Sequence, residues 1–134
     1  MAIDKKKILN FISNFSDIVK KENWISRYDA DNDSFAMRIP TLSRNARKRY
    51  VNEEFAFYVN DNNDVEGVFI EYFVSNFISH HKDFKNVAKE IKSQKKEEGL
   101  VELKKSETNK IAPGLEAVII DSFVFDTPEI QKTK

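Results

Sequence analysis

The chain contains no cysteine, three glycines, three prolines and two histidines in 134 residues. Without cysteine there is no disulfide, no thiolate zinc site, no iron–sulfur cluster and no thiol nucleophile. The glycines Gly67, Gly99 and Gly114 stand far apart, so no glycine-rich phosphate loop can form. No serine lies in a nucleophile-elbow context. The histidines, His80 and His81, are adjacent. Neighbours on a helix point about 100° apart, which does not suit two ligands of one metal. The reading is a chain without a metal or cofactor, and more a binding protein than an enzyme.

Charge of one sign is also missing. Lysine plus arginine and aspartate plus glutamate both number 22. General nucleic-acid binding usually needs a basic excess, which leaves only a local patch open. A long hydrophobic run is absent as well. The stretch from Ile8 to Val19 is broken by Asn10, Ser13, Asn14, Ser16 and Asp17. It is too polar for a signal-peptide core and too short to span a bilayer. A cytoplasmic protein without a membrane segment is the expectation.

Aromatic rings are abundant: 11 Phe, 4 Tyr and 1 Trp. At this length a single domain with a Phe-rich core is expected. Residues 4–23 read as an amphipathic helix with Asp4 as N-cap and Asn23 at its end. Ile8, Phe11, Ile12, Phe15, Ile18 and Val19 form its stripe. Four strands follow, over 24–29, 35–39, 54–59 and 65–73, with acid-rich turns at 29–33 and 60–64. Pro40 stops the second. Residues 41–52 read as a basic loop. The last strand has apolar residues on both faces, which predicts cover on both sides. Gly67 inside it suggests a bulge or a close backbone approach. A second helix carries Phe84, Val87, Ala88 and Ile91, capped at Asn76 or Ser79 and ending by Gly99 after a solvated 92–98. Residues 104–114 read as a linker ending in Pro113–Gly114, and 117–125 as an extra strand needing an edge to pair with. Residues from Thr127 look frayed.

The expected fold is therefore α+β: helix, antiparallel four-stranded meander, helix, with a C-terminal extra strand. Residues 1–99 form the main domain. Residues 100–134 supply a linker and a β-prone segment that packs on that domain or on a partner.

Several residues invite chemistry. Asp29, Asp31 and Asp33 alternate as in the start of a calcium loop. Ser34 and Pro40 stand where that loop needs glycine and glutamate, so a turn is the better reading. Arg44, Arg47, Lys48 and Arg49, with Tyr50 beside them, could hold a phosphate or an acidic partner, or could be a solvated loop. Glu71 lies in the most apolar strand. Buried and unpaired it would be a base; more often such a residue pairs across the sheet, for example with Arg38. Val118, Ile120, Phe123 and Phe125 are the candidate strand-pairing residues.

Two segments carry a resemblance. "YDADNDSFAMRI" at 28–39 and "FYVNDNNDVEGVFIEYF" at 57–73 resemble a small uncharacterised prokaryotic domain family. That family has a Tyr-Asp-x-x-x-Asp strand start and a Val-x-Gly-Ile-Glu-Ile strand. Tyr28, Asp29, Asp33, Asp61, Gly67 and Glu71 fall on its positions. The basic 40–54 segment and Val68–Phe69 depart from it. The resemblance implies a sheet-based accessory, antitoxin-like role beside toxin–antitoxin modules, and assigns no catalytic residue.

Three functional expectations follow. The first is a protein-interaction module that forms a homodimer or heteromer through a sheet edge or helix faces. The second is a small-molecule or enzymatic domain with a pocket of Phe69, Phe73 and Glu71. The third is single-stranded nucleic-acid binding through exposed aromatics and the basic residues 44–49.

Overall fold

The structure, a computed structural model, describes residues 5–93 and 99–126, without the side chains of residue 5 and of 123–126. The elements run α1 (Lys5–Ser13), α2 (Phe15–Lys21), β1 (Ile25–Asp29), β2 (Ser34–Arg38), β3 (Arg47–Tyr50), β4 (Phe55–Val59) and β5 (Val65–Ile70). A π-helical turn, Phe73–Phe77, then leads into α3 (Ile78–His80). A 3₁₀ turn, Lys82–Phe84, opens α4 (Lys85–Ser93), and β6 (Leu100–Glu102) and α5 (Lys105–Asp126) follow. The fold is α+β, with six antiparallel strands in the order β3-β4-β5-β2-β1-β6.

The strand order corrects the expected meander. β2 pairs with β5, not with β4. The apolar β5 thus takes an interior place with a neighbour on each side. The chain reaches the sheet's far edge through 39–46, and the segment read as a basic loop contains the edge strand β3. Its sequence, Arg-Lys-Arg-Tyr, hides the strand because it has no apolar alternation.

The larger correction lies at the C-terminus. Residues 105–126 form one helix, so neither the linker over 104–114 nor the extra strand over 117–125 exists. Thr108, Ile111, Ala112, Leu115 and Ile119 are buried at spacings of three and four. Pro113 and Gly114 sit on the exposed side of that helix, where they read as a break in the sequence. Tertiary burial of the stripe outweighs the β-propensity of Val118, Ile119 and Ile120. Val118 and Ile120 are therefore helical positions, and so are Phe123 and Phe125 in their backbone.

The N-terminal helix is broken in two at Asn14. Ser13 Oγ donates to the Leu9 carbonyl at 2.9 Å and Asn14 Nδ2 to the Asn10 carbonyl at 2.9 Å, local bonds that bend helices. Asn23, with φ of 55°, ends the pair as expected. Asn76 and Ser79 lie inside the π and α3 turns and cap nothing; Ser79 Oγ donates to the Asn76 carbonyl. The Asp4 cap, the 94–98 part of the solvated helix end and the frayed tail from Thr127 lie outside the described residues.

One face of the sheet makes the core. Tyr28, Phe35, Ile70 and Phe55 stand side by side across four strands, with Ser26, Met37, Val68 and Phe57 in the next row. Phe11 packs edge-on against Phe57 and forms a cluster with Phe15 and Trp24, and Phe73 stacks on Phe35 at 4.6 Å and on Phe77 at 5.6 Å. α5 closes the layer, and its Thr108 shares a buried 2.7 Å hydroxyl hydrogen bond with Ser26. The helices all belong to this one core cluster.

Asp33 fastens the layer to the sheet. It adopts a left-handed φ of 51°, and its carboxylate accepts from Tyr28 Oη (2.7 Å), the Val74 amide (2.8 Å) and the Ser75 amide (3.1 Å) and hydroxyl (2.6 Å). The carboxylate thus satisfies the open amides that begin the π turn. Burial alone would raise its pKa; the hydrogen bonds from Ser75, Tyr28 and Val74 outweigh this and hold it below the usual aspartate range.

Candidate functional site

The second face of the sheet has a different composition. Pairing register defines two rows on it. The first reads Lys48, Tyr58, Gly67, Arg38 across β3, β4, β5 and β2. The second reads Tyr50, Ala56, Phe69, Ala36, Arg27, Glu102 across all six strands. None of these residues joins the hydrophobic core cluster; Ala56 and Gly67 are buried beneath their neighbours, and Arg27, Ala36, Arg38, Tyr58 and Phe69 are partly buried. Among the described residues this face has no helical layer. β5 is therefore covered on one side only, against the expectation of cover on both.

Two hairpin turns set the register. Asn52 Oδ1 accepts from the Glu54 amide (2.8 Å) and the Phe55 amide (3.1 Å) between β3 and β4. Asn60 Oδ1 accepts from the Asn62 amide (2.8 Å) and the Asp64 amide (3.1 Å) between β4 and β5, with Asn63 left-handed at φ of 64°. Gly67 stands opposite Tyr58 in the regular register, and the register slips just beyond this pair, between Tyr58 and Val59, so that Val59 meets Val65. A Cβ on Gly67 would stand 2.5 Å from Arg38 Cβ and 3.0 Å from Tyr58 Cδ2. Both features expected of Gly67, the bulge and the close approach, are present. Glycine lets Arg38 and Tyr58 close over the strand.

Rings and cations meet here. Tyr58 and Phe69 are edge to face at 6.1 Å, and Lys48 Nζ sits 3.6 Å above the Phe69 ring centroid. Burial raises the Tyr58 hydroxyl pKa, partly offset by Arg38. Arg38 Nη1 donates to the carbonyls of Ile39 (2.9 Å) and Pro40 (3.0 Å), which holds the guanidinium at the strand's end. Arg27 pairs with Glu102 at 3.2 Å. Tyr50 is 52% exposed and donates to Glu71, a bond that raises its own pKa.

The basic cluster is divided by this geometry. Lys48 and Tyr50 lie on the open face. Arg47 and Arg49 alternate to the other side of the same edge strand, and Arg44 lies in the exposed loop before it. Glu71 binds the Tyr50 hydroxyl and not Arg38. Phe73 is fully buried in the core and Phe69 is on the opposite face, so these two rings and Glu71 do not line one cavity.

Both sheet edges are poor templates for strand addition. β3 presents Arg47, Lys48 and Arg49, and β6 has three residues. Val118 is half-buried and Ile120 is 39% exposed on α5.

Other polar groups hold elements together. Asp29 Oδ1 accepts from the Asp31 amide (3.0 Å) and Oδ2 from Asn32 Nδ2 (2.8 Å), a turn as expected from the alternating acids. His80 Nδ1 and His81 Nε2 both reach the Glu54 carboxylate, at 3.3 and 3.0 Å. They tie the segment after β5 to the start of β4, and His81 also packs on Phe77 at 4.3 Å. No group of three or more such side chains among the described residues could hold a metal ion. Glu66 is buried in a cleft of about 600 Å³ between α1 and the β4–β5 hairpin. Its carboxylate accepts from Ser43 N (2.8 Å), Ser43 Oγ and Asn60 Nδ2 (2.9 Å). Burial raises its pKa, but these donors prevail and lower it.

Sequence reading missed Tyr58 and undervalued Arg38 and Phe69. The usable signal was the period of two in β4 and β5, which puts Ala56 with Tyr58 and Gly67 with Phe69 on the face away from Phe57 and Val68. No described helix is long and apolar enough to cross a membrane. No family model, curated protein or solved structure matches the chain.

Proposed function

We propose that this chain is a non-catalytic binding module whose working surface is the open face of the sheet. The observation that carries this reading is the Tyr58–Phe69 ring pair with Lys48 and Arg38, left without a helical cover. A six-stranded antiparallel sheet needs only one buried face for stability. Rings on the second face add little to the core and are available to a partner.

The non-catalytic part of the reading rests on the carboxylates. Asp33 is engaged by Tyr28 and Ser75, Glu66 by Ser43 and Asn60, Glu54 by both histidines and Glu71 by Tyr50. Each joins two parts of the fold. An accessory role is also what the family resemblance implies.

The test is site-specific photocrosslinking. A benzoylphenylalanine at position 58 is compared in cell extract with one at position 17, an exposed site on α2. The expected result is an adduct from position 58 and none from 17. No adduct from 58, or equal adducts from both, contradicts the proposal.

A further inference from the structure

We infer that the occupant of the open face is single-stranded nucleic acid, with bases stacked on Tyr58 and Phe69 and phosphates on Lys48 and Arg38. This inference rests on the open-face reading and names its ligand class.

Charge distribution is the first support. The whole chain is neutral, but its cations are not evenly spread. From Ser34 to Asn52 there are five, Arg38, Arg44, Arg47, Lys48 and Arg49, and no aspartate or glutamate. The fold places this whole segment at β2, the β2–β3 loop and the edge strand β3. Of these, Lys48 on β3 and Arg38 on β2 reach the open face, while Glu66, Asp61 and Glu71 approach the segment only through Ser43, Asn45 and Tyr50. At the other side of that face, Arg27 is neutralised by Glu102. A phosphate backbone is the matching partner for the Lys48 and Arg38 pair.

Ring placement is the second support. Lys48 and Arg38 end one row that has Tyr58 and Gly67 between them. Three strand spacings separate the two cations, roughly 14 Å. Aromatic groups between cations on an open sheet are what a single strand needs, because its bases expose their π-faces while a duplex hides them. The small residues Ala36 and Ala56 flank Phe69 in register and Gly67 flanks Tyr58, so the cross-strand neighbours on those sides are small. The Phe69 ring already presents its face to the ammonium of Lys48. A base stacking there displaces the lysine toward its own phosphate, which keeps the charge paired.

The test is anisotropy titration of labelled oligo-dT and oligo-U of about twelve nucleotides, and of a duplex of equal length, with the full chain. Single strands are expected to bind at roughly 50 mM salt, at least tenfold more tightly than at roughly 200 mM. The duplex is expected to bind more weakly, and dT against U reads whether DNA or RNA is preferred. Tyr58→Ala and Phe69→Ala should each weaken binding roughly five- to a hundredfold. Tyr58→Phe should retain it, and Lys48→Gln should lower the salt slope by about one. Each variant's fold is verified by circular dichroism; should Phe69→Ala unfold, Tyr58→Ala and Lys48→Gln decide. No binding at low salt, or binding that ring removal leaves unchanged, overturns the inference. If oligonucleotides fail while position 58 still crosslinks to a protein, the nucleic-acid assignment falls and the open-face reading stands. If both fail, both fall.

Discussion

Phe57 and Phe69 lie on neighbouring strands of one sheet, and only one of them is sealed. Phe57 faces the helices, is fully buried and touches Phe11 and Phe55. Phe69 faces the other way, among alanines, a tyrosine and a lysine. The same residue type, in the same kind of strand, has two fates. What differs is the supply of covering chain. α1, α2, α5 and the segment from Phe73 to Ile91 all join the core cluster on one side. The second face keeps small residues, long cations and rings that tolerate water on one side.

That contrast can be broken most forcefully by removing one ring from each side. Phe73→Ala deletes a fully buried ring stacked on Phe35 and Phe77, and should cost roughly 3–5 kcal/mol. Phe69→Ala should cost less, about 1–2 kcal/mol, since that ring is only partly buried and no helix packs on it. Urea denaturation of both variants checks the ratio. Equal losses would mean that both faces are core.

Gly67→Ala sharpens the contrast from the open side. The added Cβ meets Arg38 and Tyr58 and needs the strand or Arg38 to shift, so a loss of about 2 kcal/mol is expected. The same change at Gly114, where a Cβ meets only Phe84 Cζ at 3.5 Å, should not destabilise. Thermal melts of the pair distinguish the two positions.

pH tests the two carboxylates, Asp33 and Glu66, that hold elements together. Asp33 and Glu66 have folded pKa values below their unfolded ones, so the unfolded chain binds more protons in acid. Their contribution is complete above about pH 5 and disappears as pH falls through the folded values. Asp33→Asn should cost about 1–2 kcal/mol at neutral pH, and its deficit should shrink in acid as the wild type loses the same bonds. Denaturation midpoints between neutral pH and pH 3 give the answer; a deficit that stays constant contradicts the assignment.

A gain in stability instead of a loss is expected at Pro113. It lies inside α5 and lacks the amide that would bond four residues back. Pro113→Ala should stabilise by about 1 kcal/mol, less than the full interior cost because the native helix already accommodates the ring. A strand at 117–125 would make that change neutral.

Much of the fold was legible because it follows local period. The α1–α2 stripe, the two acid-rich turns, four of the strands and the Phe84–Ile91 face were readable from spacing alone. Other features were not, among them β6, whose three residues Leu100–Glu102 are too few to show a period. β3 has charges where a buried strand would have apolar residues, because an edge strand needs few. The β2–β5 pairing is non-local and leaves no mark in either segment. α5 was divided at Pro113–Gly114, although Thr108, Ala112, Leu115 and Ile119 run through it at helical spacing. As for the site, Lys48 and Tyr50 were named as part of a basic cluster. Their relation to Tyr58, Phe69 and Arg38 depends on the pairing of β3 with β4, β4 with β5 and β5 with β2, which no single segment records.

The most direct measurement is solvent paramagnetic relaxation of aromatic ring protons by NMR, using a soluble gadolinium chelate. The one-sided sheet predicts strong enhancement for Tyr58, Phe69 and Tyr50 and almost none for Phe57, Phe35 and Phe73. Comparable protection of Phe69 and Phe57 would mean that something covers the second face, and the open-surface account would be wrong.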